Sequence, residues 1–169
     1  DYLLVGFGKN AVAPEICGAT GSEVTLRGTL IRREGRQLLE VTSAAAIHQP
    51  GSAATAETPS VPLGRFTLRG EIVDSKCYFG VMNPAEGRMY RACAELCLRG
   101  GVPAVFVARD RAGTVAHLLI ADREGKPLNA KLLSYVGGGV ELSGDVARAG
   151  KWLILRPDLA TLRHSAEAR

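Results

Sequence analysis

The stretch "TVAHLLIADREGKPLNAKLLSYVGGGVELSGDVAR", residues 114–148, holds the order of elements on which the fold turns. Its opening, "TVAHLLIAD", is a short apolar run with β character. "KPLNAKLLSYVGGG" then predicts a short helix with Leu128, Leu132 and Leu133 toward the core and a glycine stop. "VELSGDVAR" returns to strand. Outward from this stretch, "FTLRGEIV" (66–73) and "VPAVFVAR" (102–109) read as earlier strands, the second turning at Asp110-Arg111-Ala112-Gly113. "KWLILRPD" follows the turn at Ala149-Gly150. Five strands with a helix between the third and fourth is the connectivity of the OB fold, a small Greek-key barrel. A different small barrel or a β-sandwich is the rival reading of the same strands.

The N-terminal residues read as a separate β lobe, 1–43. "DYLLVGF" is a short apolar strand, and "EVTLRGTLIRREGRQLLEVTS" is two strands around Arg33-Glu34-Gly35-Arg36. Val24, Leu26 and Leu30 fall on one face of the first of these, which predicts a half-buried sheet. Residues 44–64, "AAAIHQPGSAATAETPSVPLG", lose periodicity and fill with Ala, Ser, Thr and Pro, the composition of a linker. The barrel then spans 65–169, with an insertion at 74–101. One weak echo joins the lobes: "VTLRGTLI" (24–31) returns as "FTLRGEIV" (66–73). Each is broken by a glycine, Gly28 and Gly70, of the kind that marks a bulge or sharp coil in a barrel strand.

Composition bounds the rest. A chain of 169 residues can bury one good core, or a barrel with a smaller lobe leaning on it. The longest apolar runs are far short of the roughly 20 residues of a membrane-spanning helix. The formal charge of +4 comes from arginines scattered along the chain, the pattern of a solvated surface rather than a polyanion site. The sequence opens at Asp1 with no initiator methionine and no signal-peptide pattern, which leaves a membrane anchor upstream of Asp1 open.

Function turns on "DSKCYFGVMNPAEGRMYRACAELC", residues 74–97, which carries three of the four cysteines. "AEGRMYRACAELCLRGG" reads as a helix ended by Gly100-Gly101. Cys93 and Cys97, four apart, share a face of that helix with Cβ atoms about 5–6 Å apart. A disulfide wants about 4 Å, so a direct 93–97 bond is disfavoured. Cys77 is then the natural partner of one of them, closing a loop worth roughly 3 kcal/mol, while Cys17 can take the remaining sulfur. This disulfide staple is the preferred reading. The alternative is a metal: Cys77, Cys93 and Cys97 supply three soft thiolates of the kind Zn²⁺ or Cu⁺ prefers, with Cys17, His117 or His48 as fourth ligand. Thiol redox chemistry and inert buried thiols stay open as well, and Arg88, Arg91 and Arg99 are placed to lower a thiol pKa.

Other features carry less. Asp74 suits a capping role, since no second carboxylate or His accompanies it in sequence. Tyr78, Phe79 and Tyr90 with Arg88 and Arg91 are the candidate binding residues, either a stacking platform or the packing of the insertion onto the barrel; nucleic acid is the lesser prospect. Gly137–Gly139 lack the helix and Lys-Ser/Thr of a phosphate loop. His117 reads as a core or edge histidine. No catalytic grouping of His with carboxylate or Ser can be assembled from neighbouring positions, so an enzyme is the least expected class.

"GEIVDSKCYFGVMNP", "RACAELCLRGGVPAVFV" and, more loosely, "LLVGFGKN" resemble a group of little-characterised bacterial envelope proteins. In these a membrane-anchored or exported OB-like domain carries Gly-x-x-x-Asp-x-x-Cys, then Cys-Ala-x-x-Cys and Gly-Gly-x-Pro. The likeness covers about a third of the chain. A histidine is common in such proteins where Tyr90 stands here, so this chain lacks that fourth ligand. The resemblance implies a periplasmic or envelope location and brings no activity. The sequence therefore predicts a non-catalytic accessory module with a protein partner, stapled by disulfides and needing no cofactor, with a Zn or Cu thiolate protein as the alternative.

Overall fold

The computed structural model describes residues 1–19, 22–48, 59–80 and 82–165, with 44–48 described by backbone alone. Among the described residues, eight strands form two β units, accompanied by four short α-helices and a 3-10 turn at Leu133–Tyr135. Three strands build the first: β1 (Leu3–Gly6), β2 (Glu23–Arg33) and β3 (Arg36–His48), in the order β1-β3-β2. β1 runs parallel to β3 and β2 antiparallel to it. A short helix, α1 (Pro14–Cys17), lies between β1 and β2.

The second unit is a closed barrel of β4 (Ser60–Asp74), β5 (Ala104–Arg109), β6 (Val115–Ile120), β7 (Gly139–Ala149) and β8 (Trp152–His164). Its order is β4-β5-β6-β8-β7, closing back on β4. β6 and β8 pair in parallel and every other pair is antiparallel. Renumbered from β4, this is strand order 1-2-3-5-4 with a helix, α4 (Asn129–Leu132), between the third and fourth strands. The OB connectivity expected from the sequence is the one observed.

Both echo strands owe their path to a glycine. A Cβ on Gly70 would stand 2.0 Å from the Val107 carbonyl oxygen, and one on Gly28 equally close to that of Glu40. Only glycine lets the paired backbone approach so near. Gly70 is paired with Val140 on one side and Ala108 on the other, at the place where β4 passes from β7 to β5. That single strand closes the barrel.

Two expectations are corrected. Val24 and Leu26 are half-buried, but Leu30 is exposed and Ile31 packs against the core instead. Register shifts at Thr25/Leu26 and Arg27/Gly28 break the alternation, and an irregular residue turns the following side chains to the other face. The helix expected from Ala85 begins only at Arg91: α3 spans Arg91–Arg99, preceded by turns through Gly87. Of the segment read as linker, residues 44–48 continue β3 and 60–64 open β4, while 49–58 lie outside the described residues.

The insertion follows β4 directly. α2 (Ser75–Phe79) is capped by Asp74, whose carboxylate accepts the Cys77 N–H at 2.8 Å. β5 is buried on both faces, from Ala104 to Ala108. One continuous core runs from Val5 and Leu38 of the first sheet through Phe79, Tyr90 and Leu98 of the insertion to Phe106, Leu142 and Leu155 of the barrel. Each large apolar side chain buried there is worth about 1.5–3 kcal/mol. Asn129 of α4 fastens the insertion by donating to the carbonyls of Leu98 and Val102, at 2.9 and 2.8 Å.

Candidate metal centre

Cys77 sits on α2, and Cys93 and Cys97 sit one turn apart on α3. Cys77 Sγ lies 3.6 Å from Cys93 Sγ and 3.6 Å from Cys97 Sγ, and all three sulfurs fall within 4.8 Å of one another. Cys97 is fully buried, while Cys77 and Cys93 are half-buried. The four cysteines form no disulfide, which corrects the staple expected from the sequence. The reason is geometric. A bond needs about 2.05 Å, and Cys77 stands midway between two thiols instead of against one. Cys17, on α1, is exposed and outside this group.

A strap of the N-terminal segment completes the site. After β1 the chain turns so that the Gly6 N–H donates to the Asn10 carbonyl at 3.1 Å, and the Ala11 N–H donates to the Gly100 carbonyl at 2.6 Å. Gly100 admits this contact: a Cβ there would meet the Lys9 carbonyl oxygen at 1.7 Å. From the other side Lys76, beside Cys77, donates to the carbonyl oxygens of Gly6 and Gly8 and to Glu40 Oε1. Thus clamped, the strap brings Lys9 Nζ to 2.9 Å from Cys93 Sγ and 3.6 Å from Cys97 Sγ. Lys9 is a site residue that sequence reasoning missed. Its signal was there in "LLVGFGKN", a segment 84 residues from Cys93 in sequence. The three stretches quoted for the resemblance thus meet at the sulfurs.

Charges around the sulfurs oppose one another. The hydrogen bond to Cys93 holds the Lys9 ammonium above its usual pKa. The hydrogen bond with Cys97, then burial and the Asp74 carboxyl, push the Cys77 thiol far up. Burial raises Cys93 too, against the pull of Lys9. The Cys77 and Cys93 thiols are thus both held back from ionising, and a cation among the sulfurs would displace their protons. Asp74 is fully buried and its carboxyl is raised by desolvation, against the opposing Cys77 N–H. Its second oxygen accepts the Tyr90 hydroxyl. Tyr90 is itself fully buried, so at this position the chain offers a phenol that supports Asp74.

His117 stands in a different cluster. Its Nε2 lies 3.0 Å from Glu34 Oε2 and 3.2 Å from the Tyr78 hydroxyl, and it is not among the residues grouped at the sulfurs. Burial lowers its pKa, with Glu34 opposing. Arg33 donates to the Tyr78 carbonyl at 3.0 Å, and the Arg36 guanidinium lies 5.2 Å above the Trp152 ring. The tip of the β2–β3 hairpin thereby docks on the barrel. This His–carboxylate pair joins positions 83 apart, which no local pattern reveals. The side chain of His48 lies outside the described residues.

Tyr78, Phe79 and Tyr90 are all buried, so their rings pack the insertion and offer no stacking platform. Arg88 and Arg91 are exposed and, with Gly137, Gly138 and His164, line a cleft of about 400 Å³. Arg91 is held by Glu95 at 2.7 Å. No helix among the described residues is long and apolar enough to cross a membrane. No family model, curated protein or solved structure matches the chain.

Proposed function

We propose that the protein binds one thiophilic metal ion through Cys77, Cys93 and Cys97, and that the ion is Cu⁺ in a three-coordinate thiolate site. The observation that carries this reading is the approach of three sulfurs to within 4.8 Å, with Cys77 equidistant from the other two. Thiolates bound at about 2.3 Å to one ion stand about 4.0 Å apart in a trigonal site and about 3.8 Å in a tetrahedral one. Both Cys77 separations lie within a few tenths of an ångström of either value.

The donor set favours the three-coordinate ion. Structural Zn²⁺ takes four ligands, and no fourth His or carboxylate belongs to the group among the described residues. Both Asp74 oxygens are already engaged, and His117 faces Glu34 and Tyr78. Cu⁺ is satisfied by soft thiolates alone. Lys9 then serves as outer partner to the Cys93 thiolate, offsetting part of the negative charge that three thiolates bring together. An accessory role in the bacterial envelope, with a protein partner, belongs to this reading on the strength of the resemblance.

Anaerobic reconstitution of the reduced chain with Cu⁺ against a competing chelator tests it. One copper per chain with three sulfur scatterers in X-ray absorption is the expected result. Stoichiometric zinc with a fourth protein ligand, or no retained metal, overturns it.

A further inference from the structure

The same three sulfurs are arranged for a second kind of chemistry. We propose that, free of metal, they form a dithiol–disulfide relay that reduces small-molecule disulfides, with Cys77 as the member common to both internal bonds. This rests on the sulfur cluster of the metal reading but not on a metal being bound. Cys77 Sγ stands 3.6 Å from each of the other two, whereas Cys93 and Cys97 are spaced along one helix turn where direct bonding is strained. Burial differs as well: Cys93 is the least buried of the three, Cys77 is more so, and Cys97 has no exposed surface. An incoming disulfide therefore reaches Cys93 first.

The steps balance. The Cys93 thiolate attacks one sulfur of R–S–S–R, forming a Cys93–S–S–R mixed disulfide and releasing R–S⁻, which takes a proton. Cys77 then attacks Cys93 Sγ, forming the Cys77–Cys93 bond and expelling the second R–SH. Two protein thiols have lost two electrons and two protons, and one disulfide has become two thiols. Cys97 can next attack Cys77 Sγ, moving the bond to Cys77–Cys97 and returning Cys93 as a thiol. That last exchange is redox-neutral and carries the bond inward, away from solvent. Either internal bond leaves a single thiol in the cluster, so the oxidised protein cannot hold the ion.

The test treats the metal-free, reduced chain with oxidised glutathione, then alkylates and maps it by mass spectrometry without reductant. The expected product has lost two hydrogens, keeps two alkylatable cysteines, and yields Cys77–Cys93 and Cys77–Cys97 peptides. Cys77→Ser should stop at a glutathione adduct on Cys93. Cys93→Ser should still form the Cys77–Cys97 bond, but at least about tenfold more slowly. A Cys93–Cys97 bond forming in Cys77→Ser at the wild-type rate, or no internal bond in the wild type, overturns the relay. Copper binding with no internal bond leaves the metal reading standing and removes this one; internal bonds without copper binding do the reverse.

Discussion

Cys77 and Tyr78 are consecutive residues of α2, yet they serve two unlike polar clusters. Cys77 meets Cys93, Cys97 and, through them, Lys9, where burial and close neighbours hold the Cys77 and Cys93 thiols back from ionising. Tyr78 meets His117, Glu34 and Arg33, where each polar group has a partner. Both clusters join the barrel's insertion to the N-terminal unit, and the second adds His117 of β6. Their difference shows what distinguishes a site from a seam. The hairpin contact is closed on itself and holds two units together, whereas the sulfur cluster gathers three donors of one kind, close enough together that they could hold a metal ion.

Substitutions should separate the two, and the largest effect is expected at the sulfurs. Changing Cys77, Cys93 or Cys97 singly to Ser should weaken Cu⁺ binding beyond the roughly 10–100-fold that loss of an outer partner costs. His117→Gln should leave Cu⁺ affinity unchanged in the same chelator competition. A loss there equal to that of a cysteine variant would merge the clusters and break the comparison.

Next comes the strap. Gly100→Ala places a methyl where the Lys9 carbonyl oxygen lies, so the strap must shift, at a cost of about 1–3 kcal/mol. Denaturant unfolding should show that loss, and Cu⁺ affinity should fall with it as Lys9 leaves Cys93. Lys9→Met removes only the ammonium. It should weaken Cu⁺ by about tenfold, read by competition, with little change in unfolding midpoint.

The smallest effect belongs to the seam and is read by pH. Burial lowers the folded-state pKa of His117 below its unfolded value near 6.5, so the unfolded chain binds the proton more readily. The contribution of neutral His117 is present in full above about pH 6.5 and is lost as pH falls from there toward the folded pKa. The unfolding midpoint should thus decline between pH 7 and pH 5, and His117→Gln should flatten that slope. An unaltered slope in the variant would mean that the seam does not sense protons.

Much of the architecture was legible along the chain because strands, turns and glycine stops are local. The turn at Asp110–Gly113, the turn at Glu34-Gly35 with both residues at positive φ, and the helix stop at Gly100 each follow from a few adjacent residues. Leu30 was misplaced because a bulge depends on the partner strand, which periodicity does not contain. The cysteines were legible as a group, and the i, i+4 spacing already argued against a Cys93–Cys97 bond. The choice between staple and thiol cluster was not legible, because it depends on whether Cys77 faces one sulfur or two.

By itself the sequence determined a five-stranded barrel with a helix before its fourth strand, an insertion rich in cysteine after its first, and a β lobe ahead of it. Hydrophobic alternation and turn chemistry act between near neighbours, and they suffice for that. Only the tertiary structure decided that Lys9 lies over Cys93, that Glu34 reaches His117, and that Tyr90 is spent on Asp74. The first two form when the N-terminal unit packs on the insertion and on β6, and the third when the insertion folds back over the end of β4; none follows from a spacing along the chain.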